Sequence, residues 1–122
     1  MKIRIARLDQ NQQQLQVVEV ENKLEVFQKI VDGYIERVGI TPKIDLWCND
    51  EGLFREDLKL NVLILHKGEA FAYIKGNVYF ASYDDEGNTI SLSDEQIQEL
   101  QKKMNKVAVM SNGETALAIH VD

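Results

Sequence analysis

Cys48, His66 and His120 are the only good soft or borderline metal ligands in this 122-residue sequence, and they stand in three distant segments. Zinc sites draw such ligands from short paired spacings, so no metal site is expected from them. A nucleophilic Cys48 would need a neighbouring base and an electropositive setting, yet its neighbours are Trp47, Asn49 and Asp50. Its alternation with Ile44 and Leu46 places it on an apolar face, as a buried thiol in a reducing, cytoplasmic protein. The acid pairs Asp50/Glu51 and Glu56/Asp57 are adjacent in sequence and do not converge on one substrate by local geometry. A glycine-rich phosphate loop, a nucleophile elbow and a dinucleotide fingerprint are all missing. The reading is therefore a non-enzyme with no catalytic residues and no cofactor.

Charge is the denser signal. The segment DDEGNTISLSDEQIQE, from Asp84 to Glu99, carries six carboxylates and no Lys or Arg, and the whole chain has a net charge of −6, so the charges elsewhere cancel. One sign of charge concentrated locally steers association toward a basic surface. Asp84, Asp85, Glu86, Asp94, Glu95 and Glu99 are accordingly the candidate partner-binding residues. A calcium loop counted from Ser82 has its glycine in the sixth position at Gly87, but Ser82 and Ser93 stand at the first and twelfth positions where carboxylates are needed. An acidic chain with a pI near 4.9 has no general attraction for phosphate backbones. Nor do Lys and Arg interleave with Tyr34, Trp47, Tyr73, Tyr79, Phe80 and Tyr83 as single-strand stacking platforms require. Direct nucleic-acid binding is not expected, and neither is a membrane segment, because the apolar runs fall far short of the roughly twenty residues that span a bilayer.

The elements that must position these residues follow from periodicity. Ile3, Ile5 and Leu8 nearly alternate with Lys2, Arg4 and Arg7, then Asp9 to Gln14 interrupts before Leu15, Val17, Val18 and Val20, which predicts an N-terminal hairpin. Asn22 with Glu25 resembles a capping box, and Leu24, Phe27, Ile30, Val31, Tyr34, Ile35 and Val38 continue at helical spacing, predicting a helix over Asn22 to Val38. Gly33 within it implies an early end or a close neighbour. Ile44 to Cys48 is a strand leading into the turn Asn49 to Gly52. Leu58 to Ile64 alternates weakly before a turn at His66 to Glu69. Val78 to Tyr83 is a buried strand, followed by the turn Asp84 to Asn88 and a short return through Ile90 and Leu92. Ser93 and Gln96 form a capping box opening a second helix over Ser93 to Asn105, and Val107 to Met110, Asn112-Gly113 and Ala116 to Val121 spell a terminal hairpin. The expected fold is one α+β domain over 1–122, a mainly antiparallel sheet packed by two helices, with the terminal hairpin's edge available for self-pairing.

The residues LEVFQKIVDGYIE (Leu24 to Glu36), IDLWCNDEGL (Ile44 to Leu53), Leu60-Asn61, IKGNVYFAS (Ile74 to Ser82) and DDEGNTISLSDEQIQEL (Asp84 to Leu100) resemble, in order and spacing, the bacterial and phage family called domain of unknown function 3846. The resemblance covers most of Met1 to Leu100, leaving 1–105 as a family-like core and 106–122 as an added hairpin. Phe54 to Phe71 departs from the family, which usually has a Gly/Pro-rich link there. The resemblance implies a mobile-element setting, in phages, plasmids and conjugative elements, and carries no catalytic residues to transfer. In that setting an acidic face suits a non-enzymatic inhibitor of host defence, of anti-CRISPR or anti-restriction type, that occupies a positively charged nucleic-acid channel. Two alternatives stand beside it. One is an accessory protein binding the element's own replication or transfer machinery. The other is a small-molecule binder with a pocket near Tyr34 and Trp47.

Overall fold

Apolar alternation on both faces of a strand requires a cover on both sides, and the fold supplies one for each. A computed structural model describes residues 1–108 and 114–121. It is an α+β structure with two sheets. Strands β1 (Lys2–Leu8), β2 (Leu15–Glu21), β3 (Ile35–Thr41), β4 (Ile44–Asn49), β7 (Val78–Tyr83) and β8 (Thr89–Ile90) make an antiparallel sheet of order β2-β1-β7-β4-β3, with β8 also on β7. Strands β5 (Leu60–His66), β6 (Glu69–Lys75), β9 (Met104–Ala108) and β10 (Thr115–Val121) make a second sheet of order β6-β5-β10-β9.

The first sheet separates two cores. Ile3, Ile5, Tyr79 and Ala81 face helix α1 (Leu24–Val31), packing on Phe27, Ile30 and Val31. Tyr79 stacks on Phe27 with ring centroids 4.8 Å apart. Ala6, Leu8, Ile44, Leu46, Val78 and Phe80 face the other way, into a core shared with Val62, Ile64, Leu117 and Ile119 of the second sheet and Leu100 of helix α2 (Asp94–Lys102). Strict period-2 alternation along β1 and β7 sends odd residues toward α1 and even residues toward the second sheet.

Four local expectations change. The second helix ends at Lys102 rather than Asn105, with Met104 and Asn105 belonging to strand β9. The first helix ends at Val31, not Val38, and Asp32 adopts the left-handed conformation at φ 60°, ψ 48°. Residues 35–41 are instead the edge strand β3, paired with β4 from Ile35↔Asn49 to Thr41↔Ile44. The stop comes from outside the segment. Asn49 Nδ2 donates to the carbonyls of Val31 (3.1 Å) and Asp32 (3.0 Å), satisfying acceptors that the helix end leaves open. Gly33 makes room for this, since a Cβ there would lie 2.6 Å from the same Asn49 nitrogen. At the other end, Lys23 rather than Asn22 is the N-cap and makes no side-chain cap bond; Asn22 donates to the Thr89 carbonyl at 3.2 Å.

The terminal hairpin pairs antiparallel as expected, with Thr115↔Ala108 through Ile119↔Met104, while Met110 and the Asn112-Gly113 turn lie outside the described residues. Its position is more central than an appendage. Strand β10 runs parallel to β5, from Leu117↔Val62 to Val121↔His66, and so fills the middle of the second sheet, leaving β9 at that sheet's edge.

Candidate functional site

The acidic segment folds into two pieces, the β7–β8 turn and the start of α2. In the turn, one Asp84 carboxylate oxygen accepts the Glu86 (3.0 Å) and Asn88 (2.9 Å) amides, and the other accepts Asn88 Nδ2 at 3.2 Å. These bonds, led by those from Asn88, hold the Asp84 carboxyl below its ordinary range. At the helix, Ser93 Oγ accepts the Gln96 amide at 3.1 Å and Gln96 Oε1 accepts the Ser93 amide at 2.9 Å, a complete capping box as the sequence predicts.

One serine joins the pieces. Ser82, the buried residue just before the turn, accepts from Gln96 Nε2 at 3.0 Å and donates from Oγ to the Lys43 carbonyl at 2.9 Å. It therefore ties the acidic turn, the first turn of α2 and the β3–β4 connection to a single end of the molecule. Tyr83 reinforces the arrangement by donating to the Pro42 carbonyl.

The six candidate carboxylates divide once they are placed. Asp84 is consumed by its turn. Asp85 pairs with Lys43 Nζ at 2.6 Å, and that bond raises the lysine's pKa. Lys43 Nζ also lies 5.4 Å from the centre of the Tyr83 ring. Asp94 pairs with Arg4 Nη2 at 2.9 Å, while Arg4 also donates to the Leu92 carbonyl. Glu86, Glu95 and Glu99 remain without an ion pair among the described residues. Glu86 and Glu95 are exposed, and Glu99 borders a cleft whose other walls are Ile40, Thr41, Pro42 and Lys103. Lys43 and Arg4 were not legible as members of this site, because they come from distant parts of the chain, the β3–β4 connection and β1. The Gln96 half of the link was legible through the capping pattern.

Tyr34 and Trp47 have different surroundings. Trp47 faces the α1 side and lies parallel to Tyr79 at 6.3 Å, whereas Tyr34 is 70% exposed just past the end of α1. The clefts beside α2, between α1 and β2, and along β6 are lined by other residues. Cys48 is buried, donates to the Glu36 carbonyl and is pushed up to about 12 by burial, with Glu36 and Asp50 adding to the effect. At neutral pH it is a thiol, not a thiolate. His120 Nε2 lies 2.8 Å from Asn105 Oδ1, and His66 closes the β5–β6 hairpin opposite Glu69. Among the described residues no group of three or more His, Cys, Asp or Glu is placed to hold a metal ion. No helix there is long and apolar enough to cross a membrane.

A family model described as Domain of unknown function (DUF3846) matches residues 1–105. No curated protein and no solved structure matches the chain.

Proposed function

Since the chain belongs to the DUF3846 family, whose description assigns no activity, we propose a function from the molecule's own surface: it is a non-enzymatic protein-binding module that seats its acidic end on a basic surface of its partner. In the counter-defence role, that partner is a host nuclease of the RNA-guided or restriction type, and the acidic end occupies the channel that otherwise holds nucleic acid. The observation that supports this is the Ser82–Gln96 bond, which brings the β7–β8 turn beside the α2 N-terminus, where Glu86, Glu95 and Glu99 have no ion pair among the described residues. Like-signed charges carried on a hydrogen-bonded frame require little backbone ordering when a partner binds.

The experiment follows from the division of the carboxylates. Asp84, Asp85 and Asp94 are unsuitable for charge reversal, because each has a structural partner. A Glu86→Lys, Glu95→Lys, Glu99→Lys protein removes the free charges alone. Phage plating efficiency is measured on hosts carrying one defined restriction or RNA-guided system, with the wild-type or the triple variant expressed. Wild-type expression is expected to restore plating against at least one system, with the variant tenfold or more weaker. Equal restoration by both proteins, or restoration by neither against any system, overturns the proposal.

A further inference from the structure

A second surface lies on β6, away from the acidic turn. Strand β6 bonds to β5 on one side and to no strand on the other among the described residues. Beside this bare edge, the 3-10 turn Gly52–Phe54 holds out Leu53 and Phe54, which are 64% and 86% exposed. Large apolar side chains normally escape such exposure by collapsing onto the nearest apolar surface. Here the backbone around them is pinned. Arg55 donates to the Asp32 carbonyl (2.8 Å) and to the carboxylates of Asp32 (2.8 Å) and Asp57 (2.5 Å). Lys75 Nζ donates to the Arg55 carbonyl at 2.5 Å, and Asn49 Oδ1 accepts the Glu51 amide at 2.8 Å.

Two clefts, of about 160 Å³ and about 420 Å³, meet along this edge at Leu53, Tyr73 and Lys75. The smaller opens between the two sheets and has Glu36 in its wall; the larger has Glu56 in its wall. Neither glutamate has an ion pair among the described residues, and the lysine common to both clefts is engaged by a backbone carbonyl. That bond leaves the lysine's charge in place, but across the two clefts together Glu36, Glu56 and Glu114 outnumber it, so the groove combines apolar lining with an excess of negative charge.

We infer that the β6 edge and the Gly52–Phe54 turn form a docking groove for an extended segment of another protein, whose main chain adds to β6 and whose apolar side chains alternate with Lys or Arg. An added strand gains main-chain hydrogen bonds, and clefts on either side of Tyr73 read its alternate side chains. Glu36 and Glu56 select basic residues at those positions. Two features disfavour a second copy of this chain as the occupant. The pairing of β6 with β5 slips between Ile64↔Ala72 and Leu65↔Ala70, leaving Phe71 as an extra residue, and such a bulge discourages edge-to-edge pairing of two folded sheets. Two chains of net charge −6 also repel, whereas a flexible basic peptide is attracted and adapts to the bulge.

The test uses the full isotope-labelled chain and three blocked heptapeptides: alternating Val and Lys, alternating Val and Glu, and the Val-Lys peptide N-methylated on alternate residues. Amide chemical shifts are followed by NMR on titration. The Val-Lys peptide is expected to move Leu53, Phe54 and Ala72 to Lys75, with binding at least tenfold weaker for the Val-Glu and N-methylated peptides. A Glu36→Lys, Glu56→Lys protein should reverse the preference between Lys and Glu peptides. Shifts confined to Glu86, Glu95 and Glu99 would place the peptide on the acidic end and overturn the inference. So would equal binding of the N-methylated peptide, or concentration-dependent shifts along β6 without any peptide, which would identify a second copy.

Discussion

The two sheets are built from similar apolar strands, yet they are finished differently. The first is covered on both faces, and its middle strand β7 is buried from Val78 to Ser82. Its neighbours β1 and β4 pair antiparallel with β7, and all of these lie within residues 1–105. The second sheet depends on β10, which lies beyond that match, joins β5 in parallel and supplies the buried Ala116, Leu117, Ala118 and Ile119. Its far edge carries the exposed Phe71 and Tyr73. The first sheet is therefore the frame, and the second is the side on which apolar surface is left available for contacts.

Two substitutions press this comparison hardest. Phe80→Ala, in the fully buried middle of β7, is expected to cost about 3–5 kcal/mol, and Ile119→Ala in β10 about 2–5 kcal/mol. The sharper difference lies in hydrogen exchange. Ile119→Ala should accelerate exchange in β5, β6, β9 and β10 while β1, β4 and β7 keep their protection, whereas Phe80→Ala should accelerate both sheets. Uniform acceleration by Ile119→Ala would show that the sheets open as one unit and break the comparison.

Asn61 is a buried polar link between the sheets. Its Nδ2 donates to the Leu8 carbonyl of the first sheet (2.8 Å) and to the Gly76 carbonyl after β6 (2.9 Å), in a fully buried position. Asn61→Ala leaves two carbonyls without that donor and is expected to cost on the order of 1–3 kcal/mol in denaturant melts. A loss below a few tenths would mean that this link contributes little. Ser93→Ala tests the α2 cap and should cost about 1 kcal/mol, with the Gln96–Ser82 link loosening as judged by the Gln96 side-chain amide signals.

The smallest effect concerns pH. Asp45 on β4 is almost fully buried, so desolvation raises its pKa, partly offset by Arg37 at 3.4 Å. An acid whose folded pKa is raised binds its proton more tightly when folded. Its ionisation therefore costs stability above that folded value, and the cost vanishes below the unfolded pKa near 3.8. Asp45→Asn should raise the melting temperature at pH 7, with the gain closing as the pH falls to about 3. A gain that does not shrink in acid would rule out ionisation as its cause.

Much of this arrangement was legible in the chain itself. The hairpin of β1 and β2, the buried run Val78 to Tyr83, the Ser93-Gln96 capping box and the apolar face of Cys48 each rest on neighbours within a few residues, where backbone geometry and side-chain period dictate the outcome. The same local rule misled over Tyr34 to Val38. There the helical spacing of apolar residues continues, but Asn49, from a strand formed later in the chain, ends the helix and draws residues 35–41 into the sheet. Likewise the acidic segment announced its charge, while its partners Lys43 and Arg4 and the bond from Gln96 to Ser82 decided which carboxylates remain free.

The sequence by itself determined the charge, the periods and the caps, because these depend on side chains a turn or a pleat apart. The tertiary structure alone decided the division into two sheets, the parallel seat of β10 beside β5 and the bare edge of β6. Such pairings form between segments far apart in the chain, chosen by which combination buries the most apolar surface and leaves the fewest backbone groups unpaired.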